Sequence, residues 1–110
     1  MNNQQYGKAL EHFRMLTAIE PDFAEGWNKR ATVFYLMGRF NESKEDILRT
    51  LKLEPRHFGA LSGLGLIRME LKDWPGAISA LEAALKVHPQ MSGVIRNLKY
   101  VLKKQNESTT

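Results

Sequence analysis

The residue types able to do chemistry are few in this chain, and their spacing joins none of them into a reactive group. The histidines are His12, His57 and His88. No two share helical ligand spacing, and no cysteine or close carboxylate completes a metal shell. His57 and His88 stand beside prolines and read as ordinary turn histidines. Ser43, Ser62, Ser79 and Ser92 show no nucleophile elbow and no base partner, so no triad is drawn from them. Gly59, Gly63 and Gly65 in Gly-Ala-Leu-Ser-Gly-Leu-Gly suggest a phosphate loop. Such a loop needs a strand before the glycines and a helix after them, and no strand precedes them. Arg96, Lys99 and Lys103 fall on one helical face at i, i+3, i+7. They read first as a solvated end to the fold and second as an anion site. Two Asn-x-Ser sequons, at Asn41 and Asn106, carry no weight without a secretory signal. The expectation is a protein that is not an enzyme and holds no cofactor and no metal.

Composition narrows the class further. The 110 residues are 43% hydrophobic and 25% charged, as in an ordinary globular domain. No apolar run approaches the ~18 residues that suggest a membrane span. The start, Met1-Asn2-Asn3-Gln4-Gln5, lacks the charge and apolar core of a signal peptide. A soluble chain is expected, its compartment unassigned. The absence of cysteine excludes disulfides, thiol catalysis and thiolate metal sites together. Net charge is +4, and residues 92–110 alone carry +3, from four basic residues against Glu107. The body is therefore almost neutral, which does not favour a nucleic-acid partner.

The elements that position these residues repeat. Pro21, Pro55 and Pro89 are spaced 34 residues apart. The same interval relates Ile19, Leu53 and Val87; Phe13, Ile47 and Leu81; Ala9, Ser43 and Ala77; and Tyr6, Phe40 and Trp74. A period of this length kept over several columns marks a stacked array. Apolar residues recur at three- and four-residue steps, as in Trp27, Ala31, Phe34 and Gly38, so the units are helical. Six helices are expected, at 3–19, 24–37, 41–53, 58–71, 75–87 and 92–105. The prolines end alternate helices. Gly38 closes one of the others in a left-handed conformation. One unit later Lys72-Asp73-Trp74-Pro75 takes its place, with Asp73 as N-cap and Pro75 in the first turn. Asp22 and Ser92 are candidate caps of the second and sixth helices. The small columns, Ala31 with Gly65 and Ala9 with Ser43 and Ala77, mark where helices of a hairpin cross closely. Lys99 breaks the first of these columns. A lysine there cannot lie under a following helix without burying its charge. The helix at 92–105 is thus expected to be the last, with 106–110 as a frayed tail.

These residues resemble the tetratricopeptide repeat family. Trp27-x2-Arg30-Ala31-x2-Phe34, then Gly38, Phe40, Ser43, Ile47 and Pro55, matches its W-x2-L-G-x2-Y…A-x3-F…P pattern. Leu61-x2-Leu64-Gly65 with Trp74, Ala77, Leu81, Ala84 and Pro89 matches again. The resemblance implies an all-α, right-handed superhelical solenoid forming one domain over 1–110. Its parts are a half repeat at 3–21, repeats at 24–57 and 58–91, a capping helix at 92–105 and the tail. Arg30 stands where Leu is usual, Arg68 where Tyr is usual, and Ser43 where Ala is usual. Arg30 is expected to turn its guanidinium to solvent and pack through its stem.

The resemblance also implies a role: protein–protein interaction, with a peptide or helix of a partner docked in the concave groove. The first helix of each repeat lines that groove. The residues implied are Asn28, Thr32, Tyr35 and Arg39, then Ser62, Gly63, Leu66 and Met69, then Arg96 and Tyr100, with Glu25 and Lys103 beside them. Gly59 and Gly63 read as a shallow patch where a ligand backbone can approach. Family members that grip acidic chaperone tails use Lys, Asn and Arg at columns that here hold Asn28, Thr32, Gly63, Gly93 and Asn97, which argues against that ligand. Two alternatives remain. The first helix, with Tyr6, Leu10, Phe13 and Leu16, lacks a preceding partner helix. Either the chain is a fragment of a longer protein, or that face makes a self-associating scaffold such as a homodimer. The basic last helix could instead hold an anion or nucleic acid weakly.

Overall fold

The computed structural model describes residues 3–109. Six α-helices follow one another: α1 Asn3–Ile19, α2 Ala24–Leu36, α3 Phe40–Leu53, α4 Phe58–Glu70, α5 Trp74–Val87 and α6 Ser92–Thr109. Each expected boundary lies within one residue of its observed position except the last. There α6 continues as helix to Thr109, through most of the stretch read as a tail. Among the described residues there is no strand, and no helix is long and apolar enough to cross a membrane.

The turns repeat as the sequence does. Gly38 has φ +77°, and Lys72, one unit later, has φ +59°. In both turns the third residue beyond the helix returns a hydrogen bond: Arg39 N–H to Phe34 O, and Asp73 N–H to Arg68 O, each 2.8 Å. This is one helix-closing motif built twice, so Lys72 itself adopts the left-handed backbone that Gly38 adopts freely. Asp73 then caps α5, its carboxylate accepting from Gly76 N–H at 3.1 Å. Asp22 is not a cap. Phe23 holds that position for α2 with no side-chain bond, and Ser92 is itself the first residue of α6.

The helices form two layers. Successive helices pack antiparallel, and α2 also touches α4, as α4 touches α6. Among the described residues α1 and α3 do not meet, nor do α3 and α5. The even helices therefore converge and the odd helices splay, which bends the stack toward α2, α4 and α6. That is the origin of the concave face. The body is elongated, 47 × 28 × 21 Å.

Close crossings explain the small columns. Ala31 and Gly65 are buried. A Cβ added at Gly65 would come within 2.5 Å of Leu81 Cδ2. Ser43 Oγ donates to Ala31 O at 2.6 Å, so its hydroxyl ties α3 to α2 where Ala77 simply packs. Lys99 faces solvent. The apolar residues of α1 are not left bare. Leu10 packs with Val33 and Phe34 of α2, joined by Tyr6 and Phe13, and Leu16 lies against Gly26. The exposed apolar residues at this end are instead Met15 and Ile19, 60% and 72% accessible, with Phe23 after them.

Candidate groove on the concave face

Between α2 and α4 lies a cavity of about 210 Å³. Six of the ten residues implied for the groove line it: Asn28, Thr32 and Tyr35 from α2, and Ser62, Gly63 and Leu66 from α4. Gly59 opens its edge, while Ala31, Ile47 and Ile67 form its apolar base. The register explains this grouping. Residues at steps of three and four on each even helix project to the same side, and convergence of α2 and α4 closes them over the gap. The glycines have a spatial reason. A Cβ at Gly63 would stand 3.2 Å from Ile47 Cδ1, and one at Gly59 3.1 Å from the His57 ring.

No Lys, Arg, Asp or Glu lines this cavity. Its serine and threonine hydroxyl protons are already used. Thr32 donates to Asn28 O at 3.1 Å, Ser62 to Phe58 O at 3.0 Å, and Ser43 to Ala31 O. The wall thus offers apolar surface, hydroxyl lone pairs and the Tyr35 phenol, and with no cation it is a poor setting for a carboxylate. Partial burial raises the Tyr35 phenol above its usual range, with the nearby Glu70 charge adding to the effect.

A polar bracket fixes the rim. Ala60 N–H donates to His57 Nδ1 at 3.0 Å, which makes His57 the N-cap of α4. With Nδ1 accepting, the ring proton sits on Nε2 and is donated to Glu25 Oε2 at 3.1 Å. Asn28 Nδ2 donates to Glu25 Oε1 at 3.2 Å. Partial burial pushes the Glu25 carboxyl up. The bonds from Asn28 and His57, with the charge of Lys29, outweigh it and hold the group below the usual carboxylate range. His57, read from sequence as an ordinary turn residue, thus locks the α3–α4 turn to α2. Its signal was position: it precedes a helix and could cap it.

Three further implied residues line a more open depression toward α6: Met69, Arg96 and Tyr100, together with Glu70, Lys72, Trp74 and Asn97. Tyr100 leans on Trp74, edge to face, with centroids 6.5 Å apart. Arg39 lines neither depression. Glu42 grips its guanidinium with two bonds of 2.6 Å, and it lies 4.8 Å from the Phe34 ring centroid. That pairing holds Glu42 low and Arg39 high.

Arg30 departs from expectation. Its guanidinium does not reach for solvent but binds Asp46 through two bonds of 2.7 and 2.9 Å. Asp46 is 1% exposed. Arg49 also reaches Asp46, at 2.9 Å. Both guanidinium carbons lie within 5.0 Å of the Trp27 ring centroid, and Trp27 Nε1 donates to Pro21 O at 2.8 Å. Asp46 holds the Arg30 guanidinium above its usual range. The other departure, Arg68, donates to Gly76 O at 3.1 Å and so spans the α4–α5 turn.

Comparison with known proteins agrees with this architecture. A TPR repeat-containing protein of Rhizobium etli is 41% identical over 81 residues, 74% of this chain and 40% of that protein. The chain belongs to the tetratricopeptide-repeat family. The Sgt2 TPR domain from Aspergillus fumigatus superposes with a TM-score of 0.89 at 24% identity, covering 96% of this chain and 72% of that one. The first TPR of Spaghetti (RPAP3), solved with an HSP90 peptide, gives 0.91 at 17% identity, covering 94% and 82%. These two likenesses show the fold, an all-α TPR solenoid. No family model matches the chain. The chain spans two fifths of the Rhizobium protein.

Proposed function

We propose that this chain is a protein-interaction module that seats a peptide or helix of a partner in the concave groove. It comprises a half repeat at 3–21, repeats at 24–57 and 58–91, and a closing helix. The observation that carries the reading is the α2/α4 cavity. Six residues placed on that face by the repeat register converge on a recess of about 210 Å³ with an apolar base. An apolar cavity of ~150 Å³ accepts a benzene-sized group, so this one accommodates one aliphatic or aromatic side chain. Grooves of this kind take helices or extended segments through a few anchor side chains. A structural neighbour, the Spaghetti TPR, was solved with a bound peptide, which supports the mode and leaves the ligand of this chain open.

The test is a Tyr35→Ala/Leu66→Ala double variant, challenged with a display library of short random peptides. Peptide enrichment on the wild type should be lost in the variant while its helical circular dichroism is retained. Unchanged enrichment would remove the groove from the mechanism.

A second reading, self-association, is favoured by Met15, Ile19 and Phe23, which are spaced by four residues and exposed at the α1 end. A strictly monomeric mass by light scattering at high concentration would dismiss it.

A further inference from the structure

The concave face is chemically divided along its length. The cavity between α2 and α4 holds no ionisable residue other than Tyr35. The depression beside it is lined by Arg96 and Lys72 against Glu70. The inner side of α6 then continues with Tyr100, Lys103 and Lys104, at the columns of Leu66, Met69 and Glu70. Arg96 and Lys103 are exposed, and neither makes an ion pair among the described residues. Lys104 is paired with Glu107 at 3.5 Å and lies 5.6 Å from the Tyr100 ring centroid. At the other end the Glu25 carboxylate is already held by Asn28 and His57. Beyond the neutral apolar recess the charges without an ion pair among the described residues are Glu70 and Lys72 at the α4–α5 turn and Arg96 and Lys103 on α6, so the balance on that side is positive and α6 carries most of it.

We propose that the groove selects an acidic–apolar segment. An aliphatic or aromatic side chain enters the α2/α4 cavity, and an internal Asp or Glu farther along the segment meets Arg96 and Lys103. This inference rests on the groove reading above. Packed helices lie about 8–10 Å apart, and the cavity between α2 and α4 sits about one and a half such spacings from α6. An extended chain advances about 3.3 Å per residue, so anchor and carboxylate stand about four residues apart. Polarity follows from the same division. A carboxylate over the recess meets no cation, whereas over α6 it meets two cations without an ion pair. Such an arrangement does not depend on a free C-terminal carboxylate. Nucleic acid fits less well. The cations are few, the rest of the chain is nearly neutral, and an apolar recess adjoining them offers nothing to a phosphate backbone.

The experiment selects short random peptides on the wild-type chain, then measures one enriched peptide, synthesised with an amidated end, by fluorescence anisotropy. Enriched sequences should pair an apolar residue with Asp or Glu about four positions away. Affinity should fall at least about tenfold in Arg96→Glu/Lys103→Glu, with helical content unchanged because both side chains are exposed. It should also weaken as salt rises. Peptides that need Tyr35 and Leu66 yet lack acidic residues, or bind the charge-reversed variant equally, would overturn this inference and leave the groove reading standing. No enrichment at all would overturn both. A labelled single-stranded oligonucleotide that binds at low salt, loses binding in the charge-reversed variant and competes with the peptide would reassign α6 to nucleic acid.

Discussion

At matching columns, α3 buries Ser43, Asp46, Ile47 and Thr50, while α5 buries Ala77, Ala80, Leu81 and Ala84. The helices they face differ in step. α2 presents Trp27 and Arg30 where α4 presents Leu61 and Leu64. The first repeat therefore closes through polar groups: the Arg30–Asp46 pair, the Ser43 bond to α2, and the Thr50 hydroxyl on Asp46 O at 2.9 Å. The second closes by apolar contact alone at those columns. One backbone arrangement thus admits two solutions, provided every buried polar atom is matched. Among the described residues no buried side-chain nitrogen or oxygen lacks a partner.

The comparison breaks most sharply at Arg30. Arg30→Leu writes the second repeat's residue into the first and strands the Asp46 carboxylate. Removing one partner of a buried pair costs about 3–5 kcal/mol. Arg49 still reaches Asp46 from a half-exposed position, so the expected loss is nearer about 2–3 kcal/mol. Adding Asp46→Ala completes the conversion to the Leu64/Ala80 arrangement. Replacing a whole buried pair by apolar groups is often neutral or stabilising. The double variant should recover most of the loss, read as the urea midpoint at unchanged slope. A double variant as weak as the single would mean that the two repeats are not interchangeable at this crossing.

A second exchange concerns backbone approach. Ala31 faces the column of β-branched Ile47, and Gly65 faces Leu81, whose Cδ2 and Cγ would stand 2.5 and 2.7 Å from an added methyl. Replacing an interior helical glycine by alanine ordinarily gains about 1 kcal/mol. Overpacking a core costs about 1–3 kcal/mol, and Leu81 is fully buried. Gly65→Ala should therefore lose about 1 kcal/mol net. Combined with Leu81→Ile, it adopts the first repeat's pair and should show favourable coupling in a double-mutant cycle. Simple additivity would separate the glycine from the leucine opposite it.

These contrasts show what could be read from the chain. Periodicity places the helices because the cost of exposing apolar columns is periodic, and it identifies Ala31, Gly65 and Ser43 as close-contact positions because their neighbours are large. It leaves Arg30 misread. Taken singly, an arginine on a helix face goes to solvent. Only the paired departure, Arg30 for Leu64 and Asp46 for Ala80, announces a buried ion pair. Lys72 was legible only as part of a substitute turn, since nothing in a lysine signals a left-handed backbone. Gly38 at the same column is the cue. Of the groove, the register-defined residues on α2 and α4 gather as their columns require. Arg39 turns away because Glu42, three residues on, captures it.

The finest contrast is electrostatic. The first repeat carries Glu25 and draws His57 against it, whereas the next unit has Gly59 and Met91 at those columns and no such bracket. The Glu25 carboxyl is held below its ordinary value in the folded chain, by its bonds from Asn28 and His57 against the opposing effect of burial. The unfolded chain therefore binds the proton more tightly. Stability from Glu25 is fully present above the ordinary carboxylate pKa, and it is lost as pH falls through the lower folded value. Glu25→Gln removes the titrating group while keeping an acceptor for the His57 N–H. The stability gap between wild type and Glu25→Gln should thus close as pH falls through the carboxylate range. The carboxylate is partly exposed, so the effect should be the smallest of the three and should shrink with salt. A gap that persists unchanged in strong acid would assign the role of Glu25 to packing rather than charge, leaving His57 to hold the rim as a helix cap alone.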